Sequence, residues 1–165
     1  KNLNKEIIPI GLILILAASR LIPHPPNFTP IIAVAIMSSY FFRNIYLSIL
    51  TLIISMLIAD VFIGFYKNMF FVYTSLIIIT FIFFRISKKI KYKNLYIFAF
   101  FGSLIFYLIS NFGVWALDGL YEKNLNGLIE CYILAIPFFK NTFFSSIVFS
   151  YPAIFAYKSL NKYCT

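Results

Sequence analysis

Seven side chains in this sequence could do recognition chemistry within otherwise apolar surroundings: Arg20, His24, Asn27, Asp60, Asn111, Trp115 and Glu130. Arg20 opens the stretch Arg20-Leu21-Ile22-Pro23-His24-Pro25-Pro26-Asn27-Phe28-Thr29-Pro30, which holds four of the seven prolines and the single histidine. Asp60 lies inside a long apolar run, and Asn111 and Trp115 belong to Ser110-Asn111-Phe112-Gly113-Val114-Trp115. Ionisable groups at membrane depth are expensive, so they face a cavity or one another. Arginine suits an anionic group on a ligand, Asp60 and Glu130 a cationic one, and tryptophan a flat ring. Each residue also has a plain structural reading. Arg20 can bridge to Asp60 or snorkel to headgroups. His24 can bond its own loop, Asn27 can cap a turn, Trp115 and Tyr121 can sit in an interfacial belt, and Glu130 can face solvent.

Signatures of catalysis are absent. The chain has no phosphate-binding glycine loop, no HExxH and no serine in a nucleophile elbow. One histidine rules out a multi-histidine metal site. The expectation is therefore no catalytic residue, no cofactor and no metal. Cys131 and Cys164 are far apart, one in an apolar stretch and one in the basic tail, and read as inert.

Composition names the solvent. The chain is 62% hydrophobic and 21% aromatic, only 12% charged, with a mean hydropathy of +0.91. A soluble chain of 165 residues could not hide that much apolar surface. The net charge of +9 would suggest nucleic acid in a soluble protein. Here the cations cluster in short inter-helix segments, which reads as membrane topology, and no nucleic-acid partner is expected.

A spanning helix needs about 20 mostly apolar residues. The apolar runs predict an all-α integral membrane protein, one domain over residues 1–165. Six spans are expected, with a short helix before the last and a proline-rich, non-helical insert between the first two. Helix 1 runs from Glu6 to Ile22 and is taken as an uncleaved span, although its start resembles a signal peptide. Helix 2 begins at Thr29-Pro30, with Thr29 as N-cap and Pro30 as first helical residue, and ends by Phe42. At about 1.5 Å per residue it covers only about 20 Å, so the insert is expected to dip into the bilayer. Helix 3 covers Ile45–Phe65, helix 4 Met69–Phe84 and helix 5 Leu95–Leu117. Residues 126–136 form a short helix, Pro137 to Thr142 a break, and helix 6 runs from Thr142 to Tyr157, bent near Pro152.

Lysine and arginine counts put both termini on the cytoplasmic side, and the resemblance given below implies that the membrane is the bacterial inner one. Arg43, Arg85, Lys88, Lys89, Lys91, Lys93, Lys158, Lys162, Lys1 and Lys5 are then inside, and Lys67 and Lys123 outside. This topology gathers all seven singled-out residues toward the outer side, beneath the insert. An outward-facing pocket follows, with the N-terminus of helix 2 directed into it.

Arg20-x-x-Pro23-His24-Pro25-Pro26-Asn27-Phe28-Thr29-Pro30, together with Asn111-Phe112-Gly113-Val114-Trp115 and Tyr132…Pro137-Phe138-Phe139-Lys140-Asn141-Thr142, resembles the signature of an uncharacterised family of small bacterial six-span membrane proteins. Its size and layout look like the S components of energy-coupling factor transporters. That resemblance implies a solute-binding subunit that takes up a small molecule from outside and works with a transmembrane coupling subunit and partner ATPases. S components often carry alanines every four residues on helix 1; here there are Gly11, Ala17 and Ala18, and the small residues Ala33, Ala35, Ser38 and Ser39 of helix 2 are a candidate substitute. Other readings are a structural or assembly membrane protein without substrate, and a small intramembrane enzyme.

Overall fold

The computed structural model describes residues 3–163. Among them the chain is all-helical, with seven α-helices and no strand. These are α1 (Leu3–Ala18), α2 (Ile31–Phe41), α3 (Ile45–Ile63), α4 (Met69–Arg85), α5 (Leu95–Leu117), α6 (Leu125–Leu134) and α7 (Ile136–Tyr163). Cys164 and Lys1 lie outside the described residues. Two segments, Ile45–Ile63 and Tyr92–Leu117, are long and apolar enough to cross a membrane, with mean hydropathies of 2.3 and 1.9. The pair α6 and α7, bent by 44° at their junction, makes a third if taken as one span. One flank of α3 exposes Leu50, Ile54, Leu57, Ile58, Val61 and Phe62, the surface a lipid-facing helix presents. These features mark a membrane protein.

The centre of the bundle is α2. It packs against α1, α3, α4, α5 and α7, and ten of its eleven residues are buried. Close approach of its neighbours requires small side chains, which Ala33, Ala35, Ser38 and Ser39 supply. Those four residues therefore face the interior, and the expectation that they offer a docking face to another subunit is corrected. The hydroxyls fold back on carbonyls: Ser39 donates to Ala35 and Ile36, and Ser48 of α3 donates to the Ser38 carbonyl at 2.6 Å. On α5, Gly102 sits against α2 so tightly that a Cβ there would lie 2.9 Å from Ile32.

Several predicted boundaries move. Helix α1 ends at Ala18 and tightens into a 3₁₀ turn over Ser19–Leu21. The N-cap of α2 is Pro30, without a side-chain bond; Thr29 instead gives its carbonyl to Ser145 of α7 at 2.9 Å. Helix α3 stops at Ile63 because Gly64 adopts φ +103°. The largest change concerns the break expected at Pro137–Thr142, which lies at Ala135. Pro137 occupies the first turn of α7, where its missing N–H costs nothing. Asn141 and Thr142 do not interrupt the helix because their side chains bond the insert, and α7 continues through Pro152.

The insert is held, not loose. Pro25 accepts from the Phe28 N–H at 3.0 Å, closing a turn with Asn27 at φ +58°, a left-handed conformation that asparagine tolerates. Asn141 donates to the Pro26 carbonyl at 2.9 Å and Thr142 to Asn27 at 3.4 Å. Opposite it, Asn124 caps α6 by accepting from the Gly127 N–H at 2.8 Å.

At Gly127 a Cβ would meet the Glu122 carbonyl oxygen at 2.2 Å, backbone that has no rotamer with which to yield. Gly127→Ala is expected to destabilise the fold by about 1–3 kcal/mol, as overpacking does. Gly11→Ala, at a helical position with open space around it, is expected to be neutral or stabilising by up to about 1 kcal/mol. Unfolding of the two purified variants in detergent checks the contrast.

Candidate functional site

Because α2 is only about 16 Å long at about 1.5 Å per residue, the helices around it run on beyond its N-terminus. They enclose a cavity of about 600 Å³, within the range of about 300–1,000 Å³ that small-molecule sites occupy. Ile31 and Thr29 form its floor, and Asn27 brings the insert to its rim. Tyr66, Asn68 and Val72 form the wall at the start of α4. Helix α5 contributes Phe106, Tyr107, Ser110, Asn111 and Val114. The roof comes from Leu120, Tyr121, Cys131, Leu134 and Ala135, and from Phe138, Phe139 and Thr142 of α7. Three of its hydroxyls are engaged: Ser110 donates to the Phe106 carbonyl, Thr142 to that of Phe138 and Tyr107 to that of Tyr132. Asn111 donates through Nδ2 to Tyr107 at 2.8 Å, and the Cys131 thiol donates to the Asn111 carbonyl at 3.4 Å. The amide carbonyl oxygens of Asn27, Asn68 and Asn111 accept no hydrogen bond among the described residues.

Of the seven residues singled out from sequence, Asn27 and Asn111 line this cavity. Arg20 and Asp60 do not; they pair with each other, Nη2 to Oδ1 at 2.8 Å. The Asp60 side chain is fully buried and that of Arg20 is 8% exposed. Asp60 Oδ2 also accepts from the Tyr73 hydroxyl at 2.6 Å, and Arg20 Nη1 reaches the Met56 sulfur at 3.6 Å. Arg20 Nε and Asp60 Oδ1 lack hydrogen-bond geometry, so the pair is held by charge and by Tyr73. Tyr66 connects the two regions: it lines the cavity and lies close enough to the pair to feel both charges. Burial, and then the Asp60 charge, push its phenol up to about 12 against the opposing pull of Arg20. His24 is exposed, its Nδ1 3.0 Å from the Pro25 carbonyl. Trp115 closes the loop after α5, donating to the Glu122 carbonyl at 2.9 Å beneath the Lys123 ammonium. Glu130 is exposed on α6.

Sequence reading missed Tyr66, Asn68, Tyr73, Tyr107, Phe138 and Phe139. A signal for Tyr73 was available. Asp60 lies seven residues before the turn at Lys67 and Tyr73 six after it, a near-equal spacing that brings residues on antiparallel neighbours close. Between α5 and α6 the Tyr132 hydroxyl donates to the Leu108 carbonyl at 2.6 Å.

Removing one partner of a buried ion pair strands the other charge. Arg20→Met or Asp60→Leu alone is expected to cost about 3–5 kcal/mol, and the two together distinctly less than the sum; a double-mutant cycle of unfolding free energies reads this out. Tyr66 gives a pH dependence. An unfolded tyrosine loses its proton near pH 10, whereas folded Tyr66 keeps it to about 12. Between these values the folded state binds the extra proton, so stability falls as pH rises through this window. Tyr66→Phe is expected to lessen the fall in melting temperature between pH 10 and pH 12.

No curated protein and no solved structure matches the chain. The chain belongs to a family of unknown function (DUF6580), whose family model matches residues 1–164.

Proposed function

Membership of that family brings no activity with it, and we propose from the geometry that the chain is a membrane-embedded solute-binding subunit. In this reading it captures a small molecule at the outer face for uptake, with energy supplied by partner ATPases, the arrangement that the sequence's resemblance to S components implies. The observation that carries this reading is the cavity of about 600 Å³ between the insert, α4, α5, α6 and α7.

In this reading the chain crosses the bilayer six times, by α1, α2 with its insert, α3, α4, α5 and α7, with both termini in the cytoplasm. Support comes from the cations. Arg43, Arg85, Lys88, Lys89, Lys91, Lys93 and Lys158 lie at the end of the bundle away from the cavity, against Lys67, Lys123 and Lys140 at the cavity end. The basic connection is fixed in place by buried Ile90 and by Asn94, which donates to the Lys89 carbonyl at 2.8 Å. Among the described residues no charged side chain lines the cavity, and neither does Trp115, so of the seven residues singled out from sequence this reading assigns only Asn27 and Asn111 to the ligand.

A second reading, a structural membrane protein without substrate, is favoured by one observation: Arg20 and Asp60 neutralise each other. The two readings separate in a thermal-shift screen of protein in nanodiscs against vitamins, amino acids and metal ions. A ligand at about 100 times its Kd stabilises by about 2.7 kcal/mol. Binding is expected to raise the melting temperature by several degrees and to be lost in Val114→Trp, which fills the cavity. Copurification of an ATPase module supports uptake; a screen with no hit and no such partner supports the structural reading.

A further inference from the structure

The chemistry of the cavity wall restricts what it can hold. We propose that the ligand is an uncharged planar heterocycle bearing an amide-like edge, with a hydrogen-bond donor beside an acceptor. This inference rests on reading the cavity as the solute site, and it adds the ligand class.

Charge comes first. None of the nineteen residues lining the cavity is acidic or basic. A carboxylate, phosphate or ammonium entering it would give up water and gain no counter-ion, which is the costliest transfer available to a solute. The buried charges of Arg20 and Asp60 pair with each other at 2.8 Å and stand outside the lining. The N-terminal turn of α2 at the floor contributes about half a positive charge, suited to a carbonyl dipole and insufficient for a full anion.

Shape follows from the rings. Six aromatic side chains, Tyr66, Phe106, Tyr107, Tyr121, Phe138 and Phe139, face the space from three sides. Two of them meet edge to face: Tyr107 lies 5.4 Å from Phe139, and Phe100, outside the lining, lies 5.9 Å from the same ring. Rings on several sides of one space favour a flat, polarisable solute.

Edge chemistry comes from the asparagines. Asn27, Asn68 and Asn111 stand on the insert, at the start of α4 and on α5, and each keeps an amide carbonyl that accepts no hydrogen bond among the described residues. An asparagine amide carries its donor and acceptor side by side, and its complement is an edge with the reverse pair, as on an amino-heterocycle or a lactam. Polar groups left unpaired on binding cost affinity, so three such amides select for that edge.

The test uses matched pairs that differ in charge: nicotinamide against nicotinate, and adenosine against adenosine monophosphate. Melting temperature and isothermal titration are recorded for the full chain in nanodiscs. The expected result is at least 10-fold tighter binding of the neutral member of a pair, lost in Val114→Trp and weakened in Asn68→Leu. Tighter binding of nicotinate or of the monophosphate overturns the ligand class and leaves the solute-binding reading standing. So does a hit elsewhere in the vitamin, amino-acid and metal screen with no response to either pair. No response to any compound overturns both.

Discussion

The structure depends on how an eleven-residue helix can sit fully surrounded in the middle of a membrane bundle. In lipid there is no hydrophobic force to draw helices together, so the core is held by close contact and by polar bonds between helices. Small residues on α2 give the contact, and Gly102 of α5 lets that helix approach Ile32. A helix that ends inside a packed bundle must also satisfy the backbone beyond it. The proline-rich insert does this in two ways. Its prolines have no N–H to satisfy, and the carbonyls of Pro26, Asn27 and Thr29 are taken up by Asn141, Thr142 and Ser145 of α7. The neighbouring helices keep their full length, so the space above α2 is left to a cavity. Shortness of α2, the docked insert and the cavity are consequences of one arrangement.

The ion pair belongs to the same arrangement. Arg20 arrives where α1 tightens into its 3₁₀ turn, Asp60 comes from the last part of α3, and Tyr73 reaches Asp60 from α4. Three helices are fixed to one another where the insert begins. Pairing also takes both charges off the cavity wall. Tyr66 is the remaining link, since its neutral phenol meets the cavity on one side and the pair on the other. The polarity of the wall is thus set by groups that carry no charge at neutral pH.

Sequence reading recovered what hydropathy controls. The limits of α5 at Leu95 and Leu117 were read correctly because a basic run and a polar turn bound a continuous apolar stretch. The shortness of α2 was legible from Pro30 and Arg43. Its central position was not, because a helix apolar on every side looks alike whether protein or lipid surrounds it. The break expected at Pro137 was misplaced because proline signals an interruption and a helix start with equal force, and only the partners of Asn141 and Thr142 decide between them. Asn27 and Asn111 were placed near a cavity from topology alone. Its aromatic wall was invisible in a chain that is one-fifth aromatic, since no single ring stands out from so many.

Leaving this space open costs the bundle packing contact. Contact is what stabilises helices in lipid, and rings that face an opening forgo partner atoms on that side. Closing it would need only a longer α2, or α6 laid flat against α5. Instead α6 turns away from α7 by 44°, Asn124 and Gly127 fix where it starts, and the insert is fastened to α7 at the rim. The bonds that fasten the insert to α7 thus serve twice: they satisfy the backbone beyond α2 and they keep the rim of the cavity in place.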